Sequence, residues 1–468
     1  MTMSIDLTVS LSRADKARSP YFYVPVDVPA GTTRLDVSMA YPKADDCVID
    51  LGLFDTGFAP YPATTGFRGW SGGARDTLFV ATDDATPGYL PGPVPAGTWR
   101  IVLGLYRLPA EPVQVHLAVS LDRSARPTIT PPPRSTVSRP GAGWYRGDLQ
   151  SHCHHSDAAG GPELLHASAR AAGLDFLAVT DHNTISQRRY FNPASSPELI
   201  FVRGIEVTTE FGHANVFGTD EWIDFRFEQP GDPAIMAARV RELGGVLSIN
   251  HDKPTIEWQW PRPETACMEV WQSAWPALNA ISLAKYQGLL ATGRRITAIG
   301  GSDYHQPATL EADNPLFLGR PTTVMHLEEL SEAAILGALR SGYGYVTESP
   351  KGPHLELTAS GRPMGSFVPR TQSVEVTVRG AVGDELHLID ATGEIMRLPI
   401  TDADWRQEVP IEAAGFVRAE ILAIDSRERI LAASLAALPE LEGHPSLLDI
   451  ANGPLRRAIS NPIYFAEA

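Results

Sequence analysis

From about residue 20 to 122 the chain alternates apolar and polar positions in short runs: "YFYVPVDV", "TRLDVSMAY", "CVIDLGLF", "WRIVLGLY" and "VQVHLAVSL". Pro/Gly turns such as "PAGTT" and "LPGPVPAGT" separate them. A period of two broken at this spacing predicts antiparallel strands with one buried face, hence an N-terminal β-sandwich over residues 1–123. Residues 124–143, "SARPTITPPPRSTVSRPGAG", hold no apolar period and read as a Pro-rich, semi-rigid linker. Beyond it the pattern changes. Apolar strands "FLAVT", "IFVRGIEV", "VLSIN", "MEVWQ" and "ITAIGG" alternate with helical segments. "PELLHASARAAG" opens on Pro162 and closes on Gly173, and "PAIMAARVRELGG" is punctuated in the same way. Roughly seven β/α units predict an α/β barrel or doubly wound sheet over residues 144–350. After Pro350 strand-like runs return ("HLELTAS", "SVEVTVRG", "ELHLIDATG", "VRAEILAID"), so residues 351–468 are expected to form a C-terminal β-rich, sandwich-like domain.

The chain has 468 residues, more than one growing hydrophobic core supports, which agrees with several domains. A net charge of −16 repels polyanions, and no basic patch offsets it, so nucleic acid is not an expected partner. No apolar run approaches the roughly 20 residues that span a bilayer, and membrane insertion is not expected. The first residues, "MTMSIDLTVSLSRADKARSP", lack the basic, apolar and small-residue regions of a secretory signal. Cys47, Cys153 and Cys267 are far apart and odd in number, which gives no disulfide framework and fits a reducing, cytoplasmic setting. The flanking β regions leave room for a homo-oligomer.

The candidate chemistry sits in the β/α region. Of 13 histidines, nine lie between His152 and His326. His182 follows "FLAVTD", Glu206 ends "IFVRGIE", His251 ends "VLSIN", and Asp303 and His305 follow "ITAIGG". His152 and Asp157 belong to the end of the first strand, and His213 opens "HANVFG". Ligand-type residues at the carboxyl ends of successive parallel strands converge on one rim. Several carboxylates buried together repel one another unless a cation pairs with them. A metal cluster resolves this, and mixed N/O ligands without thiolate suit zinc, manganese or iron.

The strings "GDLQSHCHHSD", "GLDFLAVTDHNTIS", "GIEVT", "GHANVFG", "INHDKP" and "GSDYH", in that order, resemble the PHP (polymerase and histidinol phosphatase) superfamily, and within it the carbaryl-hydrolase-like metallohydrolases. The resemblance covers the middle region. It implies a distorted (β/α)7 PHP barrel, with two or three divalent metal ions (Mn, Zn or Fe) and nine ligand positions. Carried over by motif, these are Gln150, His152, Asp157, His182, Glu206, His213, His251, Asp303 and His305. The odd member is Gln150: the motif reads H-x-H with an aspartate five residues after its second histidine, and since Asp157 is five residues after His152, Gln150 stands where the first histidine belongs; the alternative register pairs His152 with His154 and leaves Asp157 two residues early. Residues 150, 152 and 154 alternate and can share a face. Glutamine can offer a carbonyl oxygen, a weaker ligand than imidazole, so one metal is expected to be loose or absent, with His154 or His155 as a substitute. Cys153 should face the other way as a small buried hydrophobe, and Asp181 is expected to orient a ligand.

Two metals about 3.5 to 4 Å apart can bridge a hydroxide and clamp attacking and leaving oxygens, so the expected reaction is hydrolysis of an ester. Asp303, His305 and Lys253 are the candidate catalytic residues. Phosphoesters are the first expected substrate class, favoured by Arg188, Arg189, Arg203 and Lys253. Carbamate or carboxylic aryl esters are the alternative, favoured by Trp258, Trp260, Trp271 and Trp275 as an aromatic pocket. A third reading, a metal-bound module that binds without catalysis, follows if Gln150 has cost the site its chemistry. No Walker loop is present, and "RGWSGGARD" lacks the context of a nucleotide site.

Overall fold

A computed structural model of the chain describes residues 2–130, 132–305, 311, 313–369, 372–439 and 453–465. The N-terminal region contains β1 (Met3–Leu11), a short helix α1 (Arg13–Arg18), β2 (Tyr21–Val28), β3 (Arg34–Ala40), β4 (Val48–Phe54), β5 (Phe67–Gly72), β6 (Thr77–Ala81), β7 (Gly97–Arg107) and β8 (Val113–Asp122). They form two four-stranded antiparallel sheets, ordered β1-β8-β3-β6 and β2-β7-β4-β5. The period of two sets the faces: in β8 Val113, Val115, Leu117, Val119 and Leu121 are buried. They meet Val24, Leu51 and Ile101 of the other sheet in one shared core. β1, outside the alternation noted in the sequence, pairs with β8 along its whole length.

β9 (Arg139–Asp148) begins within the stretch read as linker. β10 (Phe176–Val179), β11 (Ile200–Thr209), β12 (Gly212–Phe217), β13 (Val246–Asn250), β14 (Cys267–Gln272), β15 (Thr297–Gly301), β16 (Thr322–Leu330) and β17 (Gly344–Thr347) follow, in the order β15-β14-β13-β12-β11-β10-β9-β16-β17. The regular seven-unit alternation expected from the sequence is not what is seen. Four helices stand between β9 and β15: α2 (Pro162–Ala172), α3 (Arg188–Ala194), α4 (Asp232–Glu242) and α5 (Asn279–Ala291). β11 turns tightly into β12, which runs antiparallel to both neighbours, and a hairpin of this kind needs no crossover helix. The β13–β14 connection is parallel but carries Pro254, Pro261 and Pro263, each lacking the N–H that a helix interior requires.

At the carboxyl ends, β15 comes back to β9: Asp303 N donates to Gln150 O at 2.9 Å, and His152 N to Tyr304 O at 3.0 Å. Gly301 makes this approach possible, since a Cβ there would lie 2.3 Å from Gln150 Cβ.

The sheet continues past β17 through Arg456–Ser460, Phe416–Leu422, Glu385–Asp390 and Gly393–Pro399. These strands share a core with a smaller antiparallel sheet that includes His354–Ala359 and Ser373–Arg379, burying Leu355 and Val376 against Leu388 and Ile421. Among the described residues no helix is long and apolar enough to cross a membrane.

Candidate metal centre

The strand ends bring the ligand-type residues together. Three groups have one ligand atom each within 4.8 Å of one another: His152, Asp157, His182 and His305; Glu206, His213 and His251; and His152, Glu206 and Asp303. Glu206 joins the second and third, and it projects inward because its strand continues into the β11–β12 hairpin, where it pairs with Asn215. One of its oxygens, Oε2, lies 3.0 Å from His182 Nδ1 and 3.4 Å from His152 Nε2. The other, Oε1, lies 3.3 Å from His213 Nδ1 and 3.4 Å from His251 Nε2. The carboxylate is fully buried, and neither oxygen receives a well-formed hydrogen bond. Such a group is costly unless a cation faces it, so the donor set fits divalent metal ions.

Several imidazoles are anchored through one ring nitrogen. His251 Nδ1 meets Glu269 Oε2 at 2.8 Å, and His305 Nδ1 meets the carbonyl of Asp303 at 2.7 Å. His182 Nδ1 lies 2.6 Å from Thr208 Oγ1, which leaves Nε2 toward Asp157 at 3.5 Å. Such anchors fix ring orientation and tautomer. Backbone strain helps to aim the groups: His251 and Asp303 have φ of 29° and 56°, a region side chains other than glycine rarely occupy.

The electrostatics follow from this crowding. Burial pushes the Glu206 and Asp303 carboxyls up, but neighbouring imidazoles, His182 for Glu206 and His305 for Asp303, outweigh it and hold both well below the usual range. Burial works in the opposite sense on His182 and His305, yet Glu206, Asp303 and Asp157 raise them to about 9 and about 10. His182 and His305 are thus favoured in the charged form beside the carboxylates, whereas burial lowers His152 and His213, and a divalent ion entering here would compete with those protons.

Gln150 is fully buried beside the cluster, but it does not turn its carbonyl to it. Asn215 Nδ2 is oriented by the carbonyl of Leu149 at 3.0 Å and also donates to Gln150 Oε1, which accepts a further bond from Asn250 Nδ2 at 2.6 Å. The amide oxygen is thereby engaged, and Gln150 Nε2 points at His152 Nε2 and Asp303 Oδ1, 3.3 Å from each. An N–H donor does not ligate a metal, so in this orientation Gln150 borders the cluster without turning a ligand atom to it. His154 and His155 do not substitute for it. His155 Nδ1 is bonded to Ser186 Oγ at 2.7 Å, and neither ring belongs to the three groups.

Lys253 also departs from expectation. Its buried ammonium donates to Gln272 Oε1, Ala277 O and Asn279 Oδ1, at 2.7, 2.5 and 3.1 Å, which uses all three N–H groups. It reaches the centre only through Gln272, whose Nε2 donates to Asp303 Oδ2 at 2.8 Å. Arg188 is spent on the carbonyls of Asp220 and Gly204, Arg189 on Asp84, and Arg203 on Glu332 and Asp220. Asp181 touches no ligand ring. It accepts from Cys153 N, Ser156 N and Ser156 Oγ and so shapes the loop that ends in Asp157; the buried Cys153 thiol donates to it as well.

A cavity of about 440 Å³ opens onto Asp157, His182 and His213. Tyr21, Trp70, Tyr106, Phe211, Phe225 and Trp260 line it, and among the described residues no lysine or arginine does. Of the four tryptophans proposed for a pocket only Trp260 takes part; Trp258, Trp271 and Trp275 are core. The sequence reading missed Glu269 and Gln272, inward-facing polar positions of an otherwise apolar strand, and missed the N-terminal wall of the cavity.

No protein-family model and no curated protein matches the chain. Among solved structures, it is similar to a two-domain protein containing a predicted PHP-like metal-dependent phosphoesterase from Bacteroides vulgatus, at 16% identity and a TM-score of 0.35, over 63% of this chain and 95% of that one. It is also similar to a chain of the cyanophage Pam1 capsid asymmetric unit, at 18% identity and a TM-score of 0.17, over 26% of this chain and 80% of that one.

Proposed function

We propose that the protein is a metal-dependent ester hydrolase of the PHP type. The observation that carries the reading is Glu206: a fully buried carboxylate whose two oxygens face two different sets of imidazoles. In this reading His152, Asp157, His182 and His305 hold one ion, and Glu206, His213 and His251 the second. Manganese, zinc and iron all suit these ligands. Bound there, a metal pair supplies a water of lowered pKa and a Lewis acid. The chain's own residues do the rest. Asp303, which accepts from Gln272 Nε2, would be oriented to accept a hydrogen bond beside a bound ion. The aromatic cavity seats the apolar part of the ester and excludes solvent around the scissile bond.

The cavity favours carbamate or carboxylic aryl esters over phosphate monoesters. The cations expected to receive a phosphate are all engaged elsewhere, and the lining is aromatic. Backbone bonds between residues 150–152 and 303–304 support reading the strands β9 to β15 as a reduced PHP barrel, flanked by β units over residues 1–123 and 351–468.

The test is hydrolysis of p-nitrophenyl phosphate, bis-p-nitrophenyl phosphate and 1-naphthyl N-methylcarbamate by manganese- or zinc-loaded protein. Faster turnover of the carbamate supports the proposed class. Faster turnover of either phosphate restores the phosphoester reading, and bound metal without cleavage of any ester supports the non-catalytic module.

A further inference from the structure

The cavity wall opposite the metal ligands comes from the N-terminal sheet. In β4, Ile49 and Leu51 point into the shared core, so Asp50 between them points to the other face and into the cavity. The space for its carboxyl is kept by glycines. Asp50 pairs across the ladder with Gly104, where a Cβ would come within 2.9 Å of Asp50 Cβ and 2.7 Å of Trp70 Cη2; a Cβ on Gly73 would lie 3.5 Å from Asp50 Oδ1. Gly72 and Gly73 belong to "RGWSGGARD", the glycine-rich stretch that has no nucleotide-binding context, and its residues Trp70 to Ala74 line the cavity.

Asp50 stands apart from the other acids in that lining. Asp157 faces His182 and His305, and Glu210 is paired with Lys16 at 2.8 Å, whereas Asp50 has neither hydrogen bond nor ion pair among the described residues. Burial alone pushes its carboxyl up to about 7. A half-buried carboxyl without a protein partner, set in the wall of an aromatic cavity whose described lining holds no lysine or arginine, is placed to accept from a donor brought by a ligand.

We propose that Asp50 is a specificity-determining residue that receives an amine or ammonium group carried by the aryl part of the substrate, while the reacting ester lies toward Asp157, His182 and His213. Trp70 and Tyr21 flank that amine and add the attraction of a ring face for a cation. The inference rests on the proposed function only in taking this cavity as the ligand site.

The experiment compares two probes of equal ring size, tyramine and 4-ethylphenol, by titration calorimetry on the manganese-loaded full chain. Charge-assisted hydrogen bonds contribute enough that tyramine should bind about tenfold or more tightly than 4-ethylphenol. Asp50→Asn should abolish that preference and leave 4-ethylphenol binding unchanged, and Asp50→Ser provides the same reading if the amide variant folds poorly. Glu210→Gln should keep the preference. Equal binding of both probes to the unmodified protein, binding of neither, or a preference that survives in the Asp50 variants would overturn the proposal. The measurement needs no turnover. A preference that follows Asp50 in a protein that cleaves no ester leaves the recognition role standing and removes the hydrolase; cleavage without the preference does the reverse.

Discussion

Gln150 turns its amide nitrogen, not its oxygen, toward Asp303, at 3.3 Å from Oδ1, because Asn215 and Asn250 hold the oxygen from behind. A donor at this point competes with a cation beside His152, Glu206 and Asp303, so the protein should hold at most two tightly bound divalent ions per chain. Gln150→His removes the donor and supplies a ligand. Elemental analysis of that variant after equilibrium dialysis against manganese or zinc should show close to one additional ion per chain; unchanged stoichiometry would sink the assignment.

Glu206 faces imidazoles of two groups at once. Glu206→Gln should therefore weaken both ion sites together, lowering bound metal well below one per chain and cutting kcat/KM by at least about a thousandfold, the scale on which removing a principal electrostatic group acts. Loss of one ion with the other retained at full occupancy would contradict the shared role.

Lys253 donates to Gln272, Ala277 and Asn279, so its substitution should damage stability and the aim of Asp303 rather than phosphate binding. Lys253→Met leaves buried acceptors unpaired and should cost about 1–3 kcal/mol or more in chemical denaturation. Turnover of phosphate and carbamate esters should fall by the same factor. A loss confined to phosphate esters would return Lys253 to the cavity.

Asp50 has its folded-state carboxyl raised by burial from 3.8 to about 7. Between these values the folded chain binds more protons than the unfolded one, so this group makes stability fall as pH rises from about 4 to 7. Asp50→Asn lacks that loss. Thermal unfolding should show little difference between the two proteins at pH 4 and a more stable variant at pH 8; parallel profiles across the range would refute the raised, unpartnered carboxyl.

Chelation should lower stability as well as activity. Metal bound only by the folded chain stabilises by mass action, and its removal leaves Glu206 and Asp303 balanced by imidazolium charge alone. Exhaustive dialysis against EDTA should lower the unfolding midpoint, and manganese or zinc should restore it.

Much of the centre was legible in the sequence because its chemistry is concentrated where apolar strands stop. His182, His251, Asp303 and His305 follow runs too apolar to be anything but buried strands, and side chains there must face a common end. The connections were less legible: the β11–β12 hairpin hides inside what looks like one β/α repeat, and the prolines after Asp252 replace a helix that the pattern alone suggested. The roles of Lys253 and Gln150 could not be read at all, since both depend on acceptors and donors more than 15 residues away, such as Gln272 and Asn215. Asp50 was missed for a related reason. An acidic residue on alternate positions of a strand looks solvent-facing until another part of the chain covers it.

Phe54, Phe67 and Trp70 of the N-terminal sheet pack into one core with Ile205, Trp222 and Phe225 of the central region. The surface that selects a ligand and the surface that would transform it thus descend from separate stretches of chain, welded by aromatic packing. A substitution that loosens that shared aromatic core would therefore be felt in the cavity from both walls at once.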